Sequence, residues 1–422
     1  MGLSCGAKFG GFSDVLRSAW RATKFASNTP PLMEIRMRRD ILILLLIGVT
    51  SWVCRAARAD DDIVIGEFGS LTGGTATFGT STDEGLRLAL DEINSSGGVL
   101  GKAIRVVVED DQSKPEAAVT AVQKLISEDH VIAVIGEVAS SRSLAAAPVC
   151  QRSRIPMLSP SSTNPKVTAV GNFIFRACFI DPFQGAAMAN FAMNNDKGPK
   201  ARRFAILYDV KNDYSVGLRQ FFTQTVKANG GQIVADESYG EGDIDFKAQL
   251  TNIERAAPDA IYVPGYYTEV GLICRQARDL GMSIPLMGGD GWDSDKTFQI
   301  GRDAVNGCYF TNHYSPDEDT PRVKDFVAHY RAKYANKTPD AMAILGYDAM
   351  GMLADAIKRA GSTDGRQIRD ALAHTKGYPG ASGNITMDAR RNAQKPIVIL
   401  KIENDQAHFV ATVQPDAAGS GK

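Results

Sequence analysis

The chain has 422 residues, 44% of them hydrophobic, enough to fill the cores of roughly two or three domains. Its 47 basic and 48 acidic residues leave a formal net charge of -1. The overall charge therefore selects neither nucleic acid nor an anionic membrane surface, and a small molecule is the expected partner.

The first recognisable element is "MRRDILILLLIGVTSWVCRAARAD": Arg38 and Arg39 form a basic start, Ile41 to Val49 an apolar core, and Ala57-Arg58-Ala59 an A-x-A site. That core is too short to span a bilayer and has the layout of a secretory signal over 37–59. Cleavage near Ala59 would leave a mature chain starting at Asp60, exported to the periplasm. Residues 1–36 form an unassigned extension, and Met37 is a candidate start. Cys54 follows a bulky Trp52-Val53 pair, which argues against a lipoprotein site.

From Ile63 onward, short apolar runs alternate with longer segments of helical period. "DIVIGEFGSLTGG" predicts a strand and a Gly-rich loop, and "STDEGLRLALDEINSSGG" an amphipathic helix stopped by glycines. "AIRVVVEDD" is a strand, "KPEAAVTAVQKLISED" a helix, and "VIAVIGEVASS" a strand ending in hydroxyls. Continuous Val/Ile runs of this kind belong to parallel strands covered on both faces. After "RIPMLSPSSTNP" and "GNFIFRACFID" a second series begins, with strands at "RRFAILYD", "QIVADESY", "DAIYVPGY" and "IPLMGGD" separated by helices. The late helices "TPRVKDFVAHYRAKYAN" and "PDAMAILGYDAMGMLADAIKRAG" and the strands "GNITMD" and "PIVILKIEN" are too few for a third domain, so they are expected to complete the first two. The fold class is α/β, with two doubly wound Rossmann-like lobes joined by a hinge that the chain crosses several times.

Open sheets of this kind bind ligands at the C-terminal ends of their strands, and two facing sheets enclose a cleft. The first series ends its strands in Ser140-Ser141 and in Ser161, Ser162 and Thr163. Hydroxyls and free N–H groups at such turns suit a carboxylate, although helix capping is their commonest use. The second series carries Tyr208-Asp209 and Tyr214, then Tyr266-Tyr267, then Asp290. Tyrosine hydroxyls around a carboxylate are what a buried ammonium requires. Asp290, Asp293 and Asp295 crowd one loop, but their spacing is not that of a calcium site. Asp293 and Asp295 are expected to cap the next short helix or to face solvent.

Other signatures fail. "GGVLGKA" has the wrong spacing for a P-loop and Ala103 where magnesium needs a hydroxyl; no G-x-S-x-G elbow follows a predicted strand. The five histidines, His130, His313, His329, His374 and His408, lie outside metal-ligand spacing of one another. Cys150, Cys178, Cys274 and Cys308 fit no metal motif; their even number permits disulfides in an exported chain, with buried thiols an equal reading. No cofactor is expected, and a binder is favoured over an enzyme.

The stretches "GSLTGGTATFGTSTDEGLRLALDEINSSGGVLGKAIRVVVEDDQSKPEAAVTAVQKLI", "VIGEVASSRSLAAAPVCQRSRIPMLSPSSTNP", "DESYGEGDIDFKAQLTNIERAAPDAIYVPGY" and "CRQARDLGMSIPLMGGDGW" resemble the type I periplasmic binding proteins of the Leu/Ile/Val type, which serve ABC transporters. The resemblance runs from Ile63 to about Val413. It implies that residues 60–180 plus 314–393 form lobe 1, that 181–313 plus 394–413 form lobe 2, and that 414–422 form a tail. It also implies a carboxylate cradle of Ser140, Ser161 and Thr163 and an ammonium site of Tyr214, Tyr266 and Asp290. Phe78 and Tyr347 would be the aromatics bordering the side-chain pocket. The implied partners are an amino acid, taken up by a monomer, and inner-membrane permease subunits with cytoplasmic ATPases. A sensor module of the same fold for an amide, urea or aromatic acid, and an exported hydrolase, are the alternatives. Three positions depart from the family: Ser113 and Ala139 stand where it has a disulfide, and Asp290 stands where its best-known members have Glu.

Overall fold

The computed structural model describes residues 62–415; the expected extension and signal segment lie outside them. Five apolar segments, β1 (Ile63–Gly69), β2 (Ile104–Asp110), β3 (Val134–Ile135), β4 (Met157–Ser159) and β5 (Ile174–Arg176), form a parallel sheet in the order β2-β1-β3-β4-β5. The second series repeats that plan. Strands β6 (Arg203–Asp209), β7 (Gln232–Tyr239), β8 (Ala260–Tyr262), β9 (Leu286–Gly288) and β10 (Tyr309–Asn312) are parallel in the order β7-β6-β8-β9-β10. Each sheet thus reverses its winding direction once, between β1 and β3 in the first and between β6 and β8 in the second. The crevice at such a switch point is where a doubly wound sheet receives its ligand.

The late elements divide. Helix Ala341–Ala360 packs along helix Ala76–Ser95 of the first series. Two glycines permit this approach: a Cβ on Gly85 would lie 1.7 Å from the Ala343 carbonyl oxygen, and one on Gly346 2.3 Å from that of Thr82. Asp340 caps the long helix by accepting from the Ala343 N–H, and Gly361, at φ 60°, ends it in the left-handed region. After β11 (Tyr378–Gly380), β12 (Gly383–Met387) and β13 (Ala393–Gln394), strand β14 (Ile397–Glu403) pairs antiparallel with β10, and β15 (Gln406–Val413) pairs with β14.

Two expectations need correction. The strand at "GNITMD" joins neither large sheet; as β12 it pairs antiparallel with β11 and β13 in a sheet of its own. The helix expected over 81–98 starts earlier, at Ala76, because the Gly73-Gly74 turn already ends the loop. That earlier start places Phe78 in the helix's first turn.

The chain makes three passages: from the first sheet to the second after β5, out of the second sheet after β10 to the helix packed on the first series and to the small sheet, and back to the second sheet between β13 and β14.

Candidate functional site

The switch points bring the expected residues together. From the first sheet, the turn after β3 enters helix Ser140–Ser153 with Ser140 at its first position, and the turn after β4 carries Ser161 and Thr163. All three are buried. Ser140 Oγ accepts from the Asn164 N–H at 3.2 Å, which joins the two turns into one cradle. From the second sheet come Tyr214, in the first turn of helix Asp213–Ala228 after β6, Tyr266 after β8, and Asp290 after β9.

Contacts across the cleft show the closed arrangement. Ser161 Oγ donates to Asp290 Oδ2 at 3.4 Å, Asn164 Nδ2 donates to the Asp213 carbonyl at 2.7 Å, and the Asp213 N–H donates to Ser141 Oγ at 2.9 Å. At the other edge, the Phe78 ring meets Tyr266 and Tyr267 edge-on, with centroids 5.4 and 5.0 Å away. The Thr77 N–H donates to the Tyr267 hydroxyl at 3.3 Å.

Asp290 is the electrostatic centre of the site. It is 3% exposed, and its Oδ1 accepts from Gln184 Nε2 at 2.6 Å and from the Tyr214 hydroxyl at 2.9 Å. Its Oδ2 lies 3.0 Å from His313 Nε2. Burial alone would raise the carboxyl pKa, but the hydrogen bond and charge interaction with His313, together with hydrogen bonds from Gln184 and Tyr214, outweigh it and hold Asp290 below the usual carboxylate range. Burial pushes His313 the other way, down to about 4, against the pull of Asp290. At neutral pH the imidazole is therefore uncharged and Asp290 is an anion held by neutral donors.

The buried cation whose charge reaches His313 has partners of its own. Lys395 is depressed to about 8 by burial, and it is answered by the Asp348 carboxylate and the Ser382 hydroxyl. A second buried carboxyl, Asp181, is pushed up to about 8 by burial, which Thr163 and Arg176 only partly offset. The folded protein thus keeps a proton on Asp181 that the unfolded chain, with a pKa near about 3.9, gives up. The stability contribution of this group falls as pH rises from about 4 through 8. Asp181→Asn should stabilise the protein by at least about 1 kcal/mol at pH 8 and by much less at pH 4, as thermal unfolding at the two pH values would read. An equal gain at both would remove the buried neutral carboxyl from this account.

Glycines make room for the anchor. A Cβ on Gly289 would lie 2.4 Å from the Tyr214 hydroxyl and 2.9 Å from Gln184 Nε2; one on Gly291 would lie 2.8 Å from the Gly265 carbonyl oxygen. The Gly291 N–H in turn donates to the Tyr214 hydroxyl at 3.0 Å.

The other two aspartates of this loop diverge. Asp293 Oδ2 accepts from Asn312 Nδ2 at 2.9 Å and from the Ala341 N–H at 2.7 Å, so it serves the long helix rather than the next short one. Ser294 caps that short helix, Asp295–Gly301, and Asp295 is exposed.

Tyr347 is not part of this group. Its hydroxyl donates to Glu92 Oε2 at 2.6 Å and its ring packs on Phe326. Glu92 and Phe78 lie on one helix 14 residues apart, which is roughly 21 Å at about 1.5 Å per residue. The Tyr347 hydroxyl is therefore turned toward the end of that helix away from Phe78, while its ring packs against the cluster that holds Phe78 and Tyr266. Conversely, sequence reasoning missed Gln184 and His313. His313 follows β10 directly, so the strand-end argument applied to "YFTNHY" would have found it; nothing local marks Gln184, one turn inside helix Asp181–Asn194.

The order of the groups also bears on hydrolysis. A nucleophilic serine needs an imidazole beside its hydroxyl and a carboxylate behind the imidazole. Here the carboxylate stands between Ser161 and His313, and its lowered pKa makes it a weak base. Cys150, Cys178, Cys274 and Cys308 are buried free thiols.

A family model described as "periplasmic binding protein" matches residues 62–407. A Leu/Ile/Val-binding protein of Rhizobium johnstonii is 33% identical over 78% of this chain and 89% of its own length. Among solved structures, a leucine-binding protein from Thermotoga maritima is 42% identical with TM-score 0.80, covering 84% of this chain and 99% of that one. A branched-chain amino acid transporter substrate-binding protein from Streptococcus pneumoniae, in complex with isoleucine, is 34% identical with TM-score 0.79 and covers 84% and 100%.

Proposed function

The chain belongs to the periplasmic binding protein family, and from that premise we propose that it captures an apolar α-amino acid, of branched-chain type, between its two lobes and delivers it to an ABC-type permease. The observation that carries this reading is Asp290: a buried anion at the cleft, held by neutral donors, facing a cradle of serine and threonine hydroxyls. A zwitterion complements both halves. Its carboxylate docks on the Ser140, Ser161 and Thr163 turns, and its ammonium supplies the positive charge that Asp290 lacks. Phe78, Tyr266 and Tyr267 offer apolar faces to the side chain.

The protein performs no bond-breaking step in this reading. Lobe closure is the signal for the permease, and the ligand must favour the closed form by several kcal/mol to make the switch decisive. Micromolar affinity corresponds to about 8 kcal/mol, within reach of a few charge-assisted hydrogen bonds and a buried apolar side chain. Export through the segment 37–59, with cleavage near Ala59, would place the protein beside such a permease.

The test is titration calorimetry of the mature chain with leucine, isoleucine, valine, acetamide, urea and benzoate. One-to-one binding of an apolar amino acid, recovered unchanged from the complex, is the expected result. Binding of benzoate or an amide in preference to every amino acid, or turnover of the bound compound, would overturn the reading.

A further inference from the structure

His313 stands at a strand end, outside the serine and threonine cradle. It is the first residue after β10, where the chain leaves the second sheet. Its ring stacks on Phe179, with centroids 3.9 Å apart and planes 17° from parallel. Phe179 lies between β5 and helix Asp181–Asn194, in the first passage between the sheets. Lys395, in the third passage between β13 and β14, is the cation whose charge reaches the imidazole. The imidazole therefore stands where all three passages meet, with Nε2 on Asp290 Oδ2.

The two oxygens of Asp290 are held differently. Oδ1 is bound by Gln184 and Tyr214, both on helices that follow the first passage. Oδ2, which faces Ser161 of the opposite lobe, has His313 as its closer partner. We propose that His313 is a positioning residue of the binding site: by donating Nε2–H to Asp290 while stacked on Phe179, it fixes the anchoring carboxylate to the hinge and sets its affinity for an ammonium group.

The tautomer follows from the contacts. A neutral imidazole beside a carboxylate is attractive only if the facing nitrogen carries the hydrogen, so the proton sits on Nε2 and Nδ1 is bare. The charged groups facing the ring are Asp290 and Lys395, with Cys178 and Asp181 next to them. A second proton on His313 would cancel the anchor's charge. Ligand ammonium and imidazolium thus compete for one carboxylate, and by linkage each weakens the other.

This inference rests on the reading of Asp290 as an ammonium anchor, so the test separates the two. Calorimetry would compare the wild type, His313→Gln and His313→Phe against leucine and against its 2-oxo acid, which lacks the amino group. Gln keeps a donor and loses the ring stack; Phe keeps the stack and loses the donor. His313→Phe should bind leucine at least about tenfold more weakly, the scale of one hydrogen bond to a charged group. His313→Gln should stay within about threefold, and both should bind the 2-oxo acid as the wild type does. Nitrogen NMR of the wild-type imidazole provides a readout that requires no variant: an Nε2–H tautomer whose protonation midpoint moves to lower pH when leucine is added. Wild-type affinity for leucine in His313→Phe, or an unmoved midpoint, overturns the inference alone. If the wild type binds no amino acid, the proposed function falls and the inference with it.

Discussion

Replacing Asp290 with Asn will weaken the binding of an apolar amino acid by at least about 2 kcal/mol, roughly 30-fold, while affinity for the corresponding 2-oxo acid, which brings no counter-ion to the carboxylate, does not fall. The reason lies in what balances what. Gln184, Tyr214 and His313 stabilise the carboxylate as an anion but bring no charge of their own at neutral pH. The ligand ammonium is then the counter-ion, and an amide at position 290 leaves it buried without one. Asparagine keeps the size of the side chain and one acceptor oxygen, so Tyr214 and Gln184 retain a partner. Its amide nitrogen would face the His313 Nε2–H, donor to donor, and drive the imidazole to the other tautomer. Calorimetry with the paired ligands reads the charge; the 2-oxo acid controls for damage to the pocket. Unchanged selectivity between the two ligands would remove Asp290 from its assigned role.

The strands were legible in the sequence, and they fixed where candidate site residues were to be sought. Continuous Val/Ile runs located the strands; the strand-end rule gave a wider set, Ser140-Ser141, Ser161 to Thr163, Tyr208, Asp209, Tyr214, Tyr266, Tyr267 and Asp290, from which the family resemblance selected Ser140, Ser161, Thr163, Tyr214, Tyr266 and Asp290. In the structure these six lie at or beside the two switch points. The failures at Tyr347 and Gln184 share one cause, which is that a helical side chain's neighbours depend on the packing of a second helix. Tyr347 lies one residue beyond Gly346, whose contact with Thr82 fixes how far along helix Ala76–Ser95 the long helix sits. That register sends the Tyr347 hydroxyl to Glu92 rather than to Phe78. Gln184 reaches Asp290 for the converse reason: Gly185 lets helix Asp181–Asn194 approach Phe222, and a Cβ there would lie 2.8 Å from the Phe222 nitrogen. Neither offset is written in the local pattern of one segment.

The second large effect is on stability, and it concerns how the first lobe holds its cradle. Arg142 is 3% exposed; its Nε lies 3.2 Å from Glu137 Oε1, its Nη1 donates to the Ser113 carbonyl at 3.1 Å, and its Nη2 donates to Thr75 Oγ1 at 2.6 Å. Glu137 in turn accepts from the Ala139 N–H, and its Oε1 lies 2.6 Å from Ser70 Oγ. Ser113 and Ala139 are the two positions at which the family resemblance implies a disulfide, so a buried ion pair here spans the gap that a covalent bond would close. Through Thr75 and Ala139 the same pair steadies the loop before Phe78 and the turn into Ser140. Burial alone would lower the guanidinium pKa, but Glu137 raises it, which keeps the guanidinium charged.

Arg142→Met should therefore cost about 3–5 kcal/mol, because it leaves the Glu137 carboxylate buried without its cation. Glu137→Gln should cost a similar amount by stranding Arg142. The double variant should be less destabilised than the sum of the singles by at least about 2 kcal/mol, since neither charge is then left alone. Denaturant unfolding of the four proteins closes this cycle, and additivity within about 0.5 kcal/mol would show that the two side chains act independently. A pair of cysteines at 113 and 139 gives the complementary arm. If the ion pair and a disulfide perform the same task, oxidising that pair in the Arg142→Met background should recover more stability than oxidising it in the wild type, where the gap is already bridged.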